Sequence, residues 1–447
     1  MRKRLIILLP LLTAFITSMQ AQDTARLSLL FLGDIMQHET QLVDAYNPRT
    51  GRYEYDHCFS LLKPYFNEAD ITIGNLELTL GGPPYKGYPQ FSAPDALAAS
   101  LKEAGVDVLV TANNHSVDRR RKGLERTIRV LDSLGFQYTG TFKDSARRAE
   151  SYPLILAKHG VRFALLNYTY GTNGISVTKP NIVNLIDTAQ IRVDINKARE
   201  SKVDAIIVFF HWGDEYQLLP NREQKRLAAF CFDLGATLVI GAHPHVLQPM
   251  EWDKEKNQLV AYSLGNFVSG QRTRNRDGGG MLSVTLETVI TDSARNTSIS
   301  DASFRFQWVY KAAEGTRRFR VLPVSTAEPQ LSRYVRDEAS REAYRLFVSD
   351  SRQHLKKYNR NIAENTQLPV ETITRYAVEI STKEINPTVS YAVPFGIDTF
   401  TDSQQIRRYL SGNFVNYESA VSYREKIKEV FPESVVVRLI NGTISAD

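Results

Sequence analysis

Between residues 27 and 267 the chain repeats one pattern. A short apolar run is followed, nearly every time, by Asp, Glu, Asn or His. The runs are LSLLFLGD (27–34), DITIGNLE (70–77), VDVLVTANNH (106–115), RFALLNYT (162–169), VDAIIVFFHWG (203–213), ATLVIGAHPH (236–245) and VAYSLGNF (260–267). Continuous apolar runs of this length mark strands buried on both faces. Helical periods such as APDALAASLKEAG and RKGLERTIRVLDSLG lie between them, each closed by glycine, a common helix stop. The pattern predicts a layered α/β domain with helices outside.

In such sheets the carboxyl ends of the strands form the binding edge. Asp34, Asn75, Glu77, Asn113, Asn114, His115, His211, His243, His245 and Asn266 all fall at run ends. A lone histidine there is usually structural. Four of the chain's eight histidines are placed this way, and independent accidents explain that poorly. Imidazole, carboxylate and amide oxygen without thiolate suit zinc, manganese or iron. There are too many candidates for one tetrahedral ion. Two divalent ions, about 3.5–4 Å apart as in two-metal hydrolases, would use them. Pro244 stiffens the turn that carries His243 and His245.

Six ordered motifs carry a resemblance: FLGDIM (31–36), GNLE (74–77), ANNH (112–115), HWG (211–213), GAHPHV (241–246) and SLGNF (263–267). Together they resemble the CapA family of poly-γ-glutamate capsule proteins, whose fold is similar to the calcineurin-like metallophosphatases. The resemblance implies that Asp34 holds a first ion and Glu77 bridges two. It implies that Asn114 and His211 hold the second ion, with His243 joining the second site and His245 the first. His115 and Asn113 form the implied catalytic group, with His115 protonating a leaving group. Asn75 and Asn266 would orient ligands or substrate. The metallophosphatases begin with Asp-x-His, whereas Asp34 is followed by Ile35, Met36 and Gln37. The first site therefore has one ligand fewer. His38 is a candidate replacement, although a surface-loop role suits it better.

The organisation expected is a signal peptide (1–21), a metallophosphatase-like α/β sandwich (24–326), a helical linker (327–369) and a small α+β unit (370–447). MRKRLIILLPLLTAFITSMQA has the basic start, apolar middle and small-residue end of a secretory leader. Its removal leaves no stable transmembrane anchor and places the protein in the periplasm or cell envelope. It also takes away Arg2, Lys3 and Arg4, lowering the formal charge from +6 to +3, too little to argue for nucleic acid. Cys58 and Cys231, the only cysteines, make no disulfide framework. Cys231 lies in a helical pattern, as a buried thiol.

The stretch QIRRYLSGNFVNYESAVSYREKIKEVFPESVVVRLINGTI (405–444) resembles a SPOR domain, which implies binding of peptidoglycan glycan strands. Tyr409, Phe414 and Tyr417 are candidate stacking residues. The function expected is an exported, metal-dependent hydrolase acting on an acidic envelope polymer, through water activated by a metal pair. The alternatives are a non-catalytic, metal-bearing factor in capsule polymer synthesis or export, in which basic residues such as Arg119–Lys122 contact the polymer, and a phosphoesterase.

Overall fold

A computed structural model of the chain describes residues 23–291, 293–313, 318–324, 328–369, 374–383, 393–401, 406–414, 416–440 and 443–444. The expected leader, 1–21, lies outside the described residues. Among these residues, no helix is long and apolar enough to cross a membrane. Cys58 and Cys231 are both free and buried.

The apolar runs form two sheets packed face to face. In the strand Asp23–Ile35, Leu27, Leu29 and Phe31 enter the core between the sheets, while Leu30 and Leu32 face outward. The strand Ala205–His211 divides the same way. Ile207 and Phe209 join that core, and Ile206, Val208 and Phe210 face the other side. Successive strand side chains alternate faces, so a run apolar at every position needs cover on both. Helices supply it. Asp95–Ala104 buries Leu97 and Leu101 against the first sheet, and Arg222–Asp233 buries Leu227 and Cys231 against the second. Each fully buried Leu or Phe contributes roughly 1.5–3 kcal/mol. Gly105 ends the first of these helices at φ 112°, a conformation that costs a side-chain-bearing residue far more.

The larger sheet has nine strands. Its main path runs Phe319–Pro323, Arg295–Lys311, Gly278–Ile290, Asp23–Ile35, Ile71–Leu76, Val108–Val110 and Gln137–Thr139. The last four are mutually parallel. The six-stranded sheet has a parallel centre of Val161–Thr169, Ala205–His211, Leu238–Ala242 and Gln258–Ala261. The run 260–267, read as one strand, is two. The chain leaves the smaller sheet at Ala261 and joins the larger at Asn266, which pairs with Asp34. Gly265, at φ 69°, makes the turn. A Cβ on Gly33 would lie 2.0 Å from the Gly265 carbonyl oxygen, so position 33 needs glycine for the segments to come this close. Residues 278–280 begin the strand Gly278–Ile290.

The helix Glu338–Tyr358 packs on the first unit. Tyr344, Phe347 and Leu355 are buried in the inter-sheet core, and the Tyr344 hydroxyl donates to the Val324 carbonyl at 2.9 Å. The C-terminal unit is a five-stranded sheet ordered Asp398–Thr401, Arg407–Phe414, Thr374–Ser381, Val435–Ile440 and Thr443–Ile444. Among its described residues one helix, Tyr417–Ile427, covers a face with Ala420, Tyr423 and Ile427. Of the candidate stacking aromatics, Tyr417 is exposed and Tyr409 is buried. Phe414 packs on Phe395 and Tyr423. This unit docks at the amino ends of the first unit's strands, where residues of both line a cavity of about 630 Å³.

Candidate metal centre

The parallel strands of both sheets bring their carboxyl ends to one edge. Asp34 ends one strand, Glu77 follows another, and Asn113, Asn114 and His115 lie in the turn after a third. His211 ends a strand of the facing sheet, and His243 and His245 follow its neighbour. Asp34, Glu77, His211, His243 and His245 are all at most 3% exposed.

Two groups place ligand atoms within 4.8 Å of one another: Glu77, His243 and His245, and Asp34, Glu77 and His211. Glu77 belongs to both, as a bridging carboxylate must. The groups cut across the expected partition, because His243 falls with His245 and Asp34 falls with His211. Other pairs follow that partition. His245 Nδ1 lies 3.0 Å from Asp34 Oδ2, and Asn114 Oδ1 lies 2.8 Å from His211 Nε2.

The backbone bends to make this cluster. His243 and His245 adopt φ of 101° and 58°. Side-chain-bearing residues rarely take such angles, and strain of this kind persists only where the surroundings enforce it. The His243 N–H points at Asp34, 3.3 Å from Oδ2. With Pro244 between them, the two turned residues direct both rings to Glu77.

Both carboxylate oxygens of Glu77 are buried without a hydrogen-bond partner, as are His243 Nδ1 and Asn266 Oδ1. A buried carboxylate without a hydrogen bond is costly; Glu77 Oε1 lies 3.4 Å from His211 Nε2 and 3.8 Å from His245 Nε2, and these atoms are of the types that hold divalent cations. The electrostatics agree. Burial, followed by the neighbouring Asp34 charge, pushes the Glu77 pKa well above the ordinary range. Burial pushes His211 well below its ordinary value, helped by His243 and His245, and it takes His243 down to about 3, helped by His245. Burial works to raise Asp34, but His245 and Asn75 hold it below its usual value. His211 and His243 are therefore neutral, the form that ligates metal.

The remaining expected residues divide. Asn75 donates to Asp34 Oδ1 at 2.8 Å and sits 3.2 Å from His211 Nδ1, an orienting position. Asn113 faces the backbone. Its amide nitrogen donates to the Leu76 carbonyl at 2.7 Å and its oxygen accepts from the His115 N–H. That shapes the turn. Asn266 is tied to the Arg276 carbonyl at 2.8 Å, with its own oxygen free. His38 Nδ1 accepts from the Gly270 N–H at 3.1 Å, and its ring packs on Phe91. It belongs to neither ligand group, so the first site keeps its short ligand set.

Asp118 escaped the sequence reading. Its Oδ2 accepts from His115 Nδ1 at 2.7 Å and from the Phe91 N–H. Its spacing, three residues after His115, was the available signal. Tyr88, Tyr170 and Tyr216 also escaped it. They stand exposed around the centre, with rings 6.5 Å from His115, 4.6 Å from His243 and 6.0 Å from His245.

Comparison with known proteins agrees with the motif order. The chain is 32% identical over 282 residues to the capsule biosynthesis protein CapA of Bacillus anthracis, covering 59% of this chain and 65% of that one. It is 31% identical over 264 residues to the PGA biosynthesis protein CapA of Bacillus subtilis strain 168, covering 56% and 66%. The match thus spans just under two thirds of each relative. Among solved structures, Haemophilus influenzae NAD nucleotidase (NadN) aligns with 74% of this chain and 60% of its own, at 15% identity and a TM-score of 0.36. The 5′-nucleotidase of Candida albicans SC5314 aligns with 74% and 58%, at 12% identity and 0.35. Scores so low assign neither fold nor activity. The profile described as bacterial capsule synthesis protein PGA_cap matches residues 28–271, a span that contains every strand end contributing to the cluster. The chain belongs to the bacterial capsule synthesis protein PGA_cap family.

Proposed function

We propose that the protein is an exported, metal-dependent hydrolase of a cell-envelope polymer, acting at the cluster around Glu77. The observation that carries this reading is the buried Glu77 carboxylate, unpartnered at both oxygens and shared by two ligand groups. Asp34, Glu77, Asn114, His211, His243 and His245 would hold two divalent ions, manganese, zinc or iron. Bound there, such ions supply Lewis acidity and a water acidic enough to ionise near neutral pH. Asn75 keeps Asp34 and His211 in register. Asp118 would accept from His115 Nδ1–H and steady an imidazolium, whose Nε2–H would protonate the departing atom. Phe91, 4.6 Å from the His115 ring, limits water on that side.

The names of the relatives point to capsule polymer, so an acidic chain such as poly-γ-glutamate is the first substrate to test. Residues 370–447 would bind peptidoglycan glycan strands, with Tyr417 as the exposed stacking residue, and hold the catalyst near the wall. One observation favours a second reading, a non-catalytic polymer-handling factor: His38 does not replace the ligand missing after Asp34.

The test uses the mature chain loaded with manganese or zinc and offered poly-γ-glutamate, peptidoglycan and a phosphodiester. Turnover that disappears in His115→Ala and His211→Ala, with metal lost only in the latter, supports the hydrolase. Metal-dependent polymer binding without turnover supports the second reading. Turnover of the phosphodiester alone makes the protein a phosphoesterase.

A further inference from the structure

Three arginines lie in the loop that leads from Asn266 into the strand Gly278–Ile290. Two are engaged by the protein. Arg272 donates to the Val309 carbonyl, and Arg274 pairs with Asp350 at 2.7 Å. The third, Arg276, has no carboxylate within ion-pair distance among the described residues. Its guanidinium carbon lies over the Tyr216 ring, 3.5 Å from the centroid. It is half-buried.

Both partners are fixed to the metal centre by backbone. The Arg276 carbonyl accepts from Asn266, the residue paired with Asp34. The Tyr216 N–H donates to the carbonyl of Pro244, between His243 and His245, at 2.8 Å. Tyr216 and Asn275 both take left-handed φ angles, 67° and 72°. Two unfavourable backbone conformations thus converge on one stacked cation beside the ligand histidines. A stacked guanidinium keeps its edge free for a planar, two-oxygen acceptor.

We propose that Arg276, held by Tyr216, is the anchor for an oxyanion that the substrate carries next to the bond at the metal centre. The proposal rests on the hydrolase reading and adds a specificity residue to it. The oxyanion has two possible sources, a side-chain carboxylate of an acidic polymer or a phosphate in its backbone.

The experiment measures binding to the manganese-loaded mature chain. The probes are a γ-linked glutamate oligomer, its methyl ester and bis(p-nitrophenyl) phosphate. Wild type should prefer the free acid to the ester by roughly tenfold, about what one charge-assisted pair contributes. Arg276→Gln should erase that preference with metal content and thermal midpoint unchanged, and Arg276→Lys should restore part of it. Loss confined to the phosphodiester assigns phosphate as the anchored group. Unchanged binding of both anions in Arg276→Gln, while His211→Ala still abolishes it, overturns the anchor and leaves the hydrolase reading standing. Failure of metal-loaded wild type to bind either anion overturns both.

Discussion

Histidine and carboxylate meet at both ends of the same strands, with opposite results. At the carboxyl ends, Glu77 has no hydrogen-bond partner on either oxygen, and burial with a neighbouring imidazole takes the His243 pKa down to about 3. At the amino ends, His159 lies between Asp70, 3.1 Å from Nε2, and Asp398 of the C-terminal unit, 3.0 Å from Nδ1. Asp70 also accepts from the Ser28 N–H and hydroxyl. Burial would depress the His159 pKa, but the carboxylates of Asp398 and Asp70 overcome it and raise the value to about 9. Burial would raise Asp70, yet His159 and Ser28 bring it to about 2. Residue type therefore does not separate a metal site from a structural clasp. Charge balance does: the clasp sets one imidazole between two carboxylates at 3.1 and 3.0 Å, although His159 Nδ1 makes no aligned hydrogen bond, whereas the cluster around Glu77 leaves both oxygens of a buried carboxylate without one.

The largest expected effect breaks the comparison at its unsatisfied end. Glu77→Gln should lower metal affinity by more than about 100-fold, beyond the loss typical of a residue that only orients a ligand. It should also raise the thermal midpoint of the metal-free chain, because an amide avoids the cost of protonating or burying a carboxylate whose pKa burial pushes well above its ordinary range. Titration calorimetry and calorimetric melting read the two signs. A metal-free variant less stable than wild type would put Glu77 with the clasp residues.

His159→Ala should do the reverse. Metal content should hold, while stability falls by about 2–3 kcal/mol. That is less than a fully dry pair would lose, because Asp398 stays 27% exposed. Denaturant unfolding measures the loss, and faster proteolysis between the two units would locate it.

A smaller effect separates the clasp by pH. A histidine raised from 6.5 to about 9 contributes stability that is complete below pH 6.5 and disappears as pH rises through 9. Asp70, lowered from 3.8 to about 2, contributes above pH 3.8 and loses that contribution as pH falls towards 2. Wild type should therefore lose more thermal stability between pH 6.5 and 9.5 than His159→Ala. Equal slopes would remove the clasp as the cause.

Much of the centre was readable from residue types at run ends, since a buried strand must stop where polar side chains begin. Asp34, Glu77, His211, His243 and His245 all meet there. Asn113 shows the limit of that reasoning: the same position in the pattern serves the backbone of a turn. The run 260–267 shows another, because an apolar string does not reveal which sheet each half joins. Tyr216, Arg276 and the His159 clasp have no periodic signature. Each acquires its role from a segment distant in sequence or from a left-handed turn.

By itself, the order of apolar and polar residues determined the sheets, their covering helices and the edge where ligands gather, because burial acts on every residue through its immediate alternation. Tertiary structure alone decided which of those polar atoms found partners and which did not. A hydrogen bond or ion pair depends on a few tenths of an ångström between segments up to hundreds of residues apart, and no local pattern encodes that distance.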